Sequence, residues 1–242
     1  MFFSSMMMGG GNVFNIIIDS LTTDFNLRTK LNTLGFNNNI PSIIEFKLNS
    51  GVTIGASTGT AIAWQTGTLA TDHTVTINIE GTISGGGGAG GAGGTSPSSG
   101  SCNPGSVGAD GTDAMSFEAS GPTYNVTLAS TATLNAGGAG GGGGGGYPGD
   151  EGGGSGNEDG HDGGRGQVYN QSATNGGTGG SQGNGGNGGS FANDGTDGQK
   201  ADDGEGTGCD GGSGGTAGYA LRKNSNTVNV TDNGATINGT VG

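Results

Sequence analysis

The residues able to do chemistry are few and scattered. His73 and His161 are the only histidines, and neither stands near a serine or cysteine with an acid in the arrangement that a nucleophile and its base require. Matches to Gly-x-Gly-x-x-Gly recur from composition alone, none joins a βαβ unit, and no glycine loop ends in the Gly-Lys-Ser/Thr of a phosphate loop. No catalytic residue, nucleotide site or cofactor is therefore expected.

Acids are more numerous: between residues 100 and 220 there are fourteen, against the two bases Arg165 and Lys200. Asp-Gly-Thr-Asp occurs at Asp110–Asp113 and again at Asp194–Asp197. Hard oxygen ligands beside glycine turns suit Ca²⁺, which makes Asp110, Asp113, Asp194 and Asp197 calcium candidates. Neither copy fits the EF-hand loop or the calcium β-roll nonapeptide, so solvated acids that keep a glycine-rich surface soluble are the default and no metal is expected. Cys102 and Cys209 are either one disulfide or two free thiols, and two cysteines fall far short of a small secreted disulfide scaffold.

Large side chains in the glycine-rich part are conspicuous by their rarity. Phe117, Tyr124 and Tyr219 adjoin β units and are expected to pack. Tyr147 with Pro148, Tyr169 and Phe191 are the receptor-binding candidates, because aromatics with polar neighbours often contact glycans or proteins. Tyr147 and Phe191 are placed at exposed loop tips; the alternative is a plug at the end of a helix stack.

The elements that must position these residues follow from where the glycine lies. Of 242 residues 62 are glycine, eight of them in residues 1–80, so residues 81–242 are one-third glycine. A hydrophobic fraction of 29% excludes one conventional core for the whole chain. A formal net charge of −13 disfavours nucleic acid and anionic membranes as partners. Residues 1–80 hold most of the large apolar side chains and read as a β-rich domain, with a boundary near residue 80. The segment Met1–Met8 lacks a basic n-region and Val13–Ile18 is too short for a signal h-region or a span, so neither export nor membrane insertion is expected.

Within residues 1–80, Leu27, Leu31 and Leu34 at i, i+4, i+7 predict one short helix of about three turns between Thr23 and Gly35, capped by Thr23 or Asp24. Ile43–Leu48 and Val52–Ile54, joined through Asn49-Ser50-Gly51, predict two strands meeting in a hairpin or a solenoid corner. A strand unit recurs: Val75–Gly85 aligns with Val126–Ala136 and with Val228–Gly239. The chain is thus expected to return to a common β layer, near 124–136 and 226–239, with the glycine tracts as excursions between.

Those tracts have a period of three: Gly137, Gly140, Gly143, Gly146 is one run, and Gly177, Gly180, Gly183, Gly186, Gly189 begins another. Three residues per turn is the period of polyproline II, which has no internal hydrogen bonds and must bond sideways. With five prolines in all, collagen is excluded. Polyglycine II remains, in which extended helices pack side by side and glycine lets their backbones approach. The competing expectation is a flexible linker.

The runs Asp24–Thr29, Leu48–Ser57, Glu80–Gly85 and Gly218–Lys223 with Asn226–Val228 together resemble glycine-rich tail proteins of tailed bacteriophages. The glycine-rich half is similar in style to the tip adhesins of T-even-type long tail fibres, although residues 1–80 show no recognisable counterpart of their attachment domain. This resemblance implies a fold in two parts: a mainly β N-terminal domain with one short helix, then a polyglycine-II bundle or sandwich over 81–242 linked to the recurring strands. It implies a non-enzymatic virion tail component, assembled in the host cytoplasm. Other tail, fibre or baseplate proteins would bind through residues 1–80, and loops of the rigid body would meet a host glycan or outer-membrane protein. Homo-oligomers fit this reading. The alternatives are a purely structural cap or connector and, further off, an ice-binding polyglycine-II protein.

Overall fold

The computed structural model describes residues 5–8, 11–96, 101–147, 159–178, 183–201 and 208–242. Alternation of apolar and polar residues makes strands, and here the strands wind into a solenoid. A lead strand β1 (Ser5–Met8) precedes the first coil, which consists of β2 (Gly11–Ile18), β3 (Thr22–Thr23) and β4 (Phe25–Asn26). Helix α1 (Leu27–Thr33) leads to the second coil, β5 (Ser42–Leu48), β6 (Thr53–Gly55) and β7 (Trp64–Gln65). The third is β8 (Thr74–Ile79), β9 (Thr82–Ser84) and β10 (Met115–Ser116); the fourth is β11 (Tyr124–Leu128), β12 (Thr133–Asn135) and β13 (Tyr219–Arg222). β14 (Val228–Asp232), β15 (Thr236–Asn238) and β16 (Thr240–Val241) complete a fifth.

Equivalent strands of successive coils stack into three sheets, ordered β1-β2-β5-β8-β11-β14, β3-β6-β9-β12-β15 and β4-β7-β10-β13-β16. Among the described strands every coil-to-coil pairing is parallel, and only β1 runs antiparallel to its neighbour. The Ile43–Ile54 segment is therefore a solenoid corner, since β5 and β6 belong to different sheets.

Inward positions form stacks: Phe14, Ile44, Val75, Tyr124 and Val228 lie in register and are buried. Ile54, Ile83 and Leu134 do the same in the second sheet, and Phe25, Trp64, Met115 and Leu221 in the third. Each such side chain contributes about 1.5–3 kcal/mol when fully buried. Aromatic rings run through this core from Phe46 to Trp64 (5.5 Å between centroids), Trp64 to Phe117 (5.6 Å) and Phe117 to Tyr124 (4.8 Å).

Two expectations are corrected in detail. The helix is shorter than its leucine spacing implies, because Phe25 is drawn into the third sheet beside Trp64 and Asp24 turns the corner before it with φ +50°. Asn26 takes over as N-cap, its side chain accepting the Thr29 N–H at 2.9 Å, and Gly35 with φ +81° ends the helix as expected. In the repeat, Val75 lies opposite Tyr124 rather than Val126, while Thr82 does lie opposite Thr133. The fourth coil spends four residues turning from Leu128 to Thr133 where the third spends two, and an even difference leaves the inward and outward faces unchanged.

The glycine tracts all leave and return at one corner, between the second and third sheets. In the first and fifth coils a single residue crosses it, Asp24 or Gly239, the latter with φ +127°. The third coil departs after Ser84 and rejoins at Met115; the fourth departs after Asn135 and rejoins at Tyr219. A polar ladder marks the departure: Asn238 Nδ2 donates to Asn135 Oδ1 at 2.7 Å, and Asn135 Nδ2 to Ser84 Oγ at 3.0 Å. The three sheets combine strands from before and after residue 80, with β8 pairing directly with β11.

Candidate functional site

Beyond the corner, the sheet ladders give way to lateral backbone bonds at three-residue intervals. Gly85, Gly88, Gly91 and Gly94 donate to the carbonyls of Asn135, Gly138, Gly141 and Gly144. On the return side Gly105, Gly108, Gly111 and Ala114 donate to Asp210, Ser213, Thr216 and Tyr219. None of these residues is in an α-helix, and of them only Asn135 and Tyr219 lie in strands.

Tract 137–146 is the centre of the block. Its N–H groups point in three directions: Gly137 to Thr112, Gly138 to Gln167 and Ala139 to Asn193, repeating every three residues. Its carbonyls accept from three further tracts, with Gly140, Gly141 and Gly142 bonded by Gly215, Gly91 and Gly186. All its residues are buried. A Cβ at Gly142, Gly144 or Gly145 would overlap a neighbouring backbone carbonyl, which is why this run is glycine at nearly every position. Peripheral tracts such as 193–201 need a small residue only on the packed side, at Gly195, Gly198 and Ala201, and there the third-position pattern emerges.

The acids complete this edge. Asp194 accepts the Ala217 N–H at 2.7 Å and Asp197 the Gly214 N–H at 2.8 Å. Asp110 accepts from Thr216 N–H at 2.8 Å, and Asp113 from Tyr219 N–H at 2.9 Å. Each Asp-Gly-Thr-Asp copy thus places two carboxylates, one turn apart, on backbone donors of the adjoining tract. A third copy of the pattern, Asp159-Gly160-His161-Asp162, does the same: Asp159 accepts from Ser96 at 2.9 Å and Asp162 from Gly93 at 2.8 Å. Asp-Gly-x-Asp was the signal that could have found this copy. Among the described residues no group of three His, Cys, Asp or Glu is placed to hold a metal ion.

Asp113 has a second role, as the ion-pair partner of Arg222, whose Nη2 lies 2.8 Å from Asp113 Oδ1. That hydrogen bond holds the guanidinium pKa above its ordinary value, and the group also lies 4.0 Å over the Tyr219 ring. Burial pushes the Tyr124 phenol up, and it pushes His73 down despite the opposing Asp72 carboxylate 3.9 Å away.

The receptor-binding candidates separate to opposite ends of the block. Tyr147 ends the central tract at the end far from the solenoid, but it is 5% exposed, so its ring packs there instead of forming a tip. Pro148 lies outside the described residues. Tyr169 sits in a turn beside the solenoid, where Val168 and Gln171 exchange backbone bonds, and its half-buried ring covers Gly55. Phe191 is also at the solenoid end: the next residue, Ala192, donates to Ala136 at 3.1 Å, and Phe191 N–H to Gln167 Oε1 at 3.2 Å.

At the far end the described tracts break off at residues 96 and 101, 147 and 159, 178 and 183, and 201 and 208. Hydrogen bonds join them there: Asn103 to Thr95, Gly160 to Gly94, Gly183 to Gly145 and Ala201 to Cys209. Cys102 and Cys209 are bonded to each other at this end. Joining residues 107 apart in sequence removes unfolded-chain entropy equivalent to about 4–5 kcal/mol.

A different surface belongs to residues 1–80, where Ile17, Leu21, Ile40 and Ile43 are exposed. Ile43 lies opposite Val13 on the first sheet, two coils from the lead strand.

A family model described as phage tail fibre adhesin Gp38 matches residues 13–242. It therefore takes in most of residues 1–80, where the sequence alone shows no counterpart of the adhesins' attachment domain. No curated protein matches the chain. Among solved structures the chain is similar to the crystal structure of the gp37-gp38 adhesin tip complex of the bacteriophage S16 long tail fiber, at 17% identity and a TM-score of 0.49, over 94% of this chain and 81% of that one.

Proposed function

This chain belongs to the Gp38 family of phage tail fibre adhesins, and we propose that it acts as a rigid block of polyglycine-II helices whose end remote from the solenoid meets the host surface. It is a tail-fibre adhesin, and hence a component of the virion tail. The observation that carries the finer reading is the bonding of tract 137–146 to six neighbouring tracts, each at a three-residue interval. A polyglycine-II helix offers successive donors in three directions, which is the pattern its N–H groups follow.

Such a block holds the described residues that flank its end segments, Ser96, Tyr147 and Ala201 among them, at fixed places. Ordering each residue costs about 1–2 kcal/mol of backbone entropy, so a flexible tether would leave these N–H groups in water instead of pairing them. Residues 97–100, 148–158 and 202–207, next to the packed end, are the proposed contacts with a host glycan or outer-membrane protein. Tyr147 belongs to that end, and Pro148 follows it in sequence. Tyr169 and Phe191 lie on the solenoid side and serve packing in this reading.

Docking onto other fibre or baseplate proteins is assigned to residues 1–80, supported by the exposed apolar side chains Ile17, Leu21, Ile40 and Ile43. Assembly takes place in the host cytoplasm, and the role is non-enzymatic. No helix among the described residues is long and apolar enough to cross a membrane.

The test is adsorption of phage carrying the whole adhesin. Replacing residues 97–100, 148–158 or 202–207 should cut adsorption at least tenfold with the fold and the adhesin's presence on the particle intact, and substitution of exposed Thr231 on β14, outside the docking residues, should not. If host-range changes map to residues 1–80 instead, the end-on reading fails. An isolated adhesin that neither binds cells nor blocks infection would favour a purely structural cap.

A further inference from the structure

The remote end of the block also carries the one redox-active pair, Cys102 and Cys209, with Cα atoms 5.9 Å apart. Backbone bonds tie Cys209 and the residues next to Cys102 to neighbouring tracts. Asn103 N–H donates to Thr95 at 2.7 Å, Gly105 N–H to Asp210 at 3.0 Å and Cys209 N–H to Gly146 at 3.2 Å. The 5.9 Å separation is ordinary for a disulfide and coexists with these backbone bonds, so closure asks for no displacement of the bonded tracts. Both residues are half-buried, so neither is sealed in the interior of the block.

We propose that the chain folds and assembles with both thiols reduced, and that the disulfide closes after release from the producing cell as a lock on the host-facing end. The inference rests on the reading above that the adhesin is made in a cytoplasm and works outside it. A reducing cytosol keeps cysteine pairs as thiols, whereas the medium does not. In the closing step one cysteine thiolate attacks an external small-molecule disulfide such as oxidised glutathione, releasing one glutathione thiol and leaving a mixed disulfide. The second thiolate displaces the other glutathione, so the protein loses two electrons and the external disulfide gains them, while the two cysteine protons pass through water to the glutathione thiolates.

The lock has a definite place of action. It ties the start of tract 103–114 to the start of tract 208–218, which lie side by side back to the solenoid through Gly108 to Ser213 and Ala114 to Tyr219. At the solenoid end β10 and β13 hold the two together. Opening the disulfide should therefore loosen these tracts from the remote end only.

Two measurements on the full chain test this. Infected cells lysed directly into N-ethylmaleimide should yield adhesin with two alkylated cysteines by intact mass, and released particles adhesin with none. Hydrogen exchange of the purified adhesin should quicken at least tenfold on adding dithiothreitol at residues 103–108 and 209–213, with residues 111–114 and 218–222 unchanged. The Cys102→Ser/Cys209→Ser double variant should exchange like the reduced chain and ignore dithiothreitol. A disulfide already complete in the alkylated lysate, or exchange indifferent to reduction, overturns the proposal. Neither readout involves a receptor, so failure of the host-binding reading would show in adsorption alone.

Discussion

Asp197 and Gly214 stand seventeen residues apart, and the carboxylate of the first accepts the backbone N–H of the second at 2.8 Å. The bond supplies an edge tract with the acceptor that an adjoining tract would give it in the interior. A carboxylate three residues earlier, Asp194, serves Ala217 in the same way.

Replacing Asp194 and Asp197 by alanine should therefore speed exchange at Gly214 and Ala217, and lower stability by about 1 kcal/mol per lost bond, the modest figure fitting an exposed site. Asparagine at either position keeps an acceptor oxygen and should restore much of the protection. Equal protection in the alanine and asparagine variants would mean that these carboxylates only solubilise the surface.

The central tract, which carries one side chain at Ala139, should tolerate none at its most crowded glycines. Gly142→Ala puts a methyl against the backbone carbonyl of Gly212, which cannot move without shifting a whole tract. A loss of about 2 kcal/mol or more is expected, read as a clear fall in Tm. Ser213, next to that carbonyl but exposed, should accept alanine within about 0.5 kcal/mol.

In the solenoid, Phe117 joins the rings of Trp64 and Tyr124 and is fully buried. Phe117→Ala should cost about 3–5 kcal/mol in denaturant unfolding. Because the tracts depart from the same coils, their amide protection should fall with it; undisturbed tracts would show that the block folds independently.

His73 sets a pH dependence. Burial holds its folded pKa below the ordinary value of 6.5, so the unfolded chain takes up the proton first as pH falls. Stability should be unaffected by this group above about pH 7 and should decline below the ordinary histidine pKa until the folded state also protonates. His73→Gln should flatten that decline in unfolding curves measured between pH 5 and 7.

Legibility in the sequence differed between the two halves for physical reasons. Recurring alternating units, Val75-Thr76-Ile77, Val126-Thr127-Leu128 and Val228-Asn229-Val230, announce the returns of the chain, because such alternation fits a half-buried strand. The first two coils are hard to recognise as copies, since β3 and β4 are two residues each, and Asp24 alone or residues 56–63 cross the corner that the third and fourth coils cross in dozens. Tyr147 looked like an exposed tip because a large ring beside Pro148 interrupts a glycine run; its burial depends on tracts distant in sequence. The carboxylates resembled calcium ligands because spacing along one tract says nothing about a donor on the next.

The shared corner has a consequence for how such chains diversify. An excursion that leaves and rejoins at one point can change length without altering the stack beneath it, but only in quanta. In the proposed polyglycine-II helices, one inserted residue would rotate every later position by a third of a turn, driving side chains into neighbouring backbones and glycines into water. Three inserted residues preserve each facing and, at the polyglycine-II rise, lengthen a tract by about 9 Å. Reach thus becomes a ratcheted variable, adjustable by whole triplets in paired outward and returning tracts, while the solenoid that anchors them keeps its sequence.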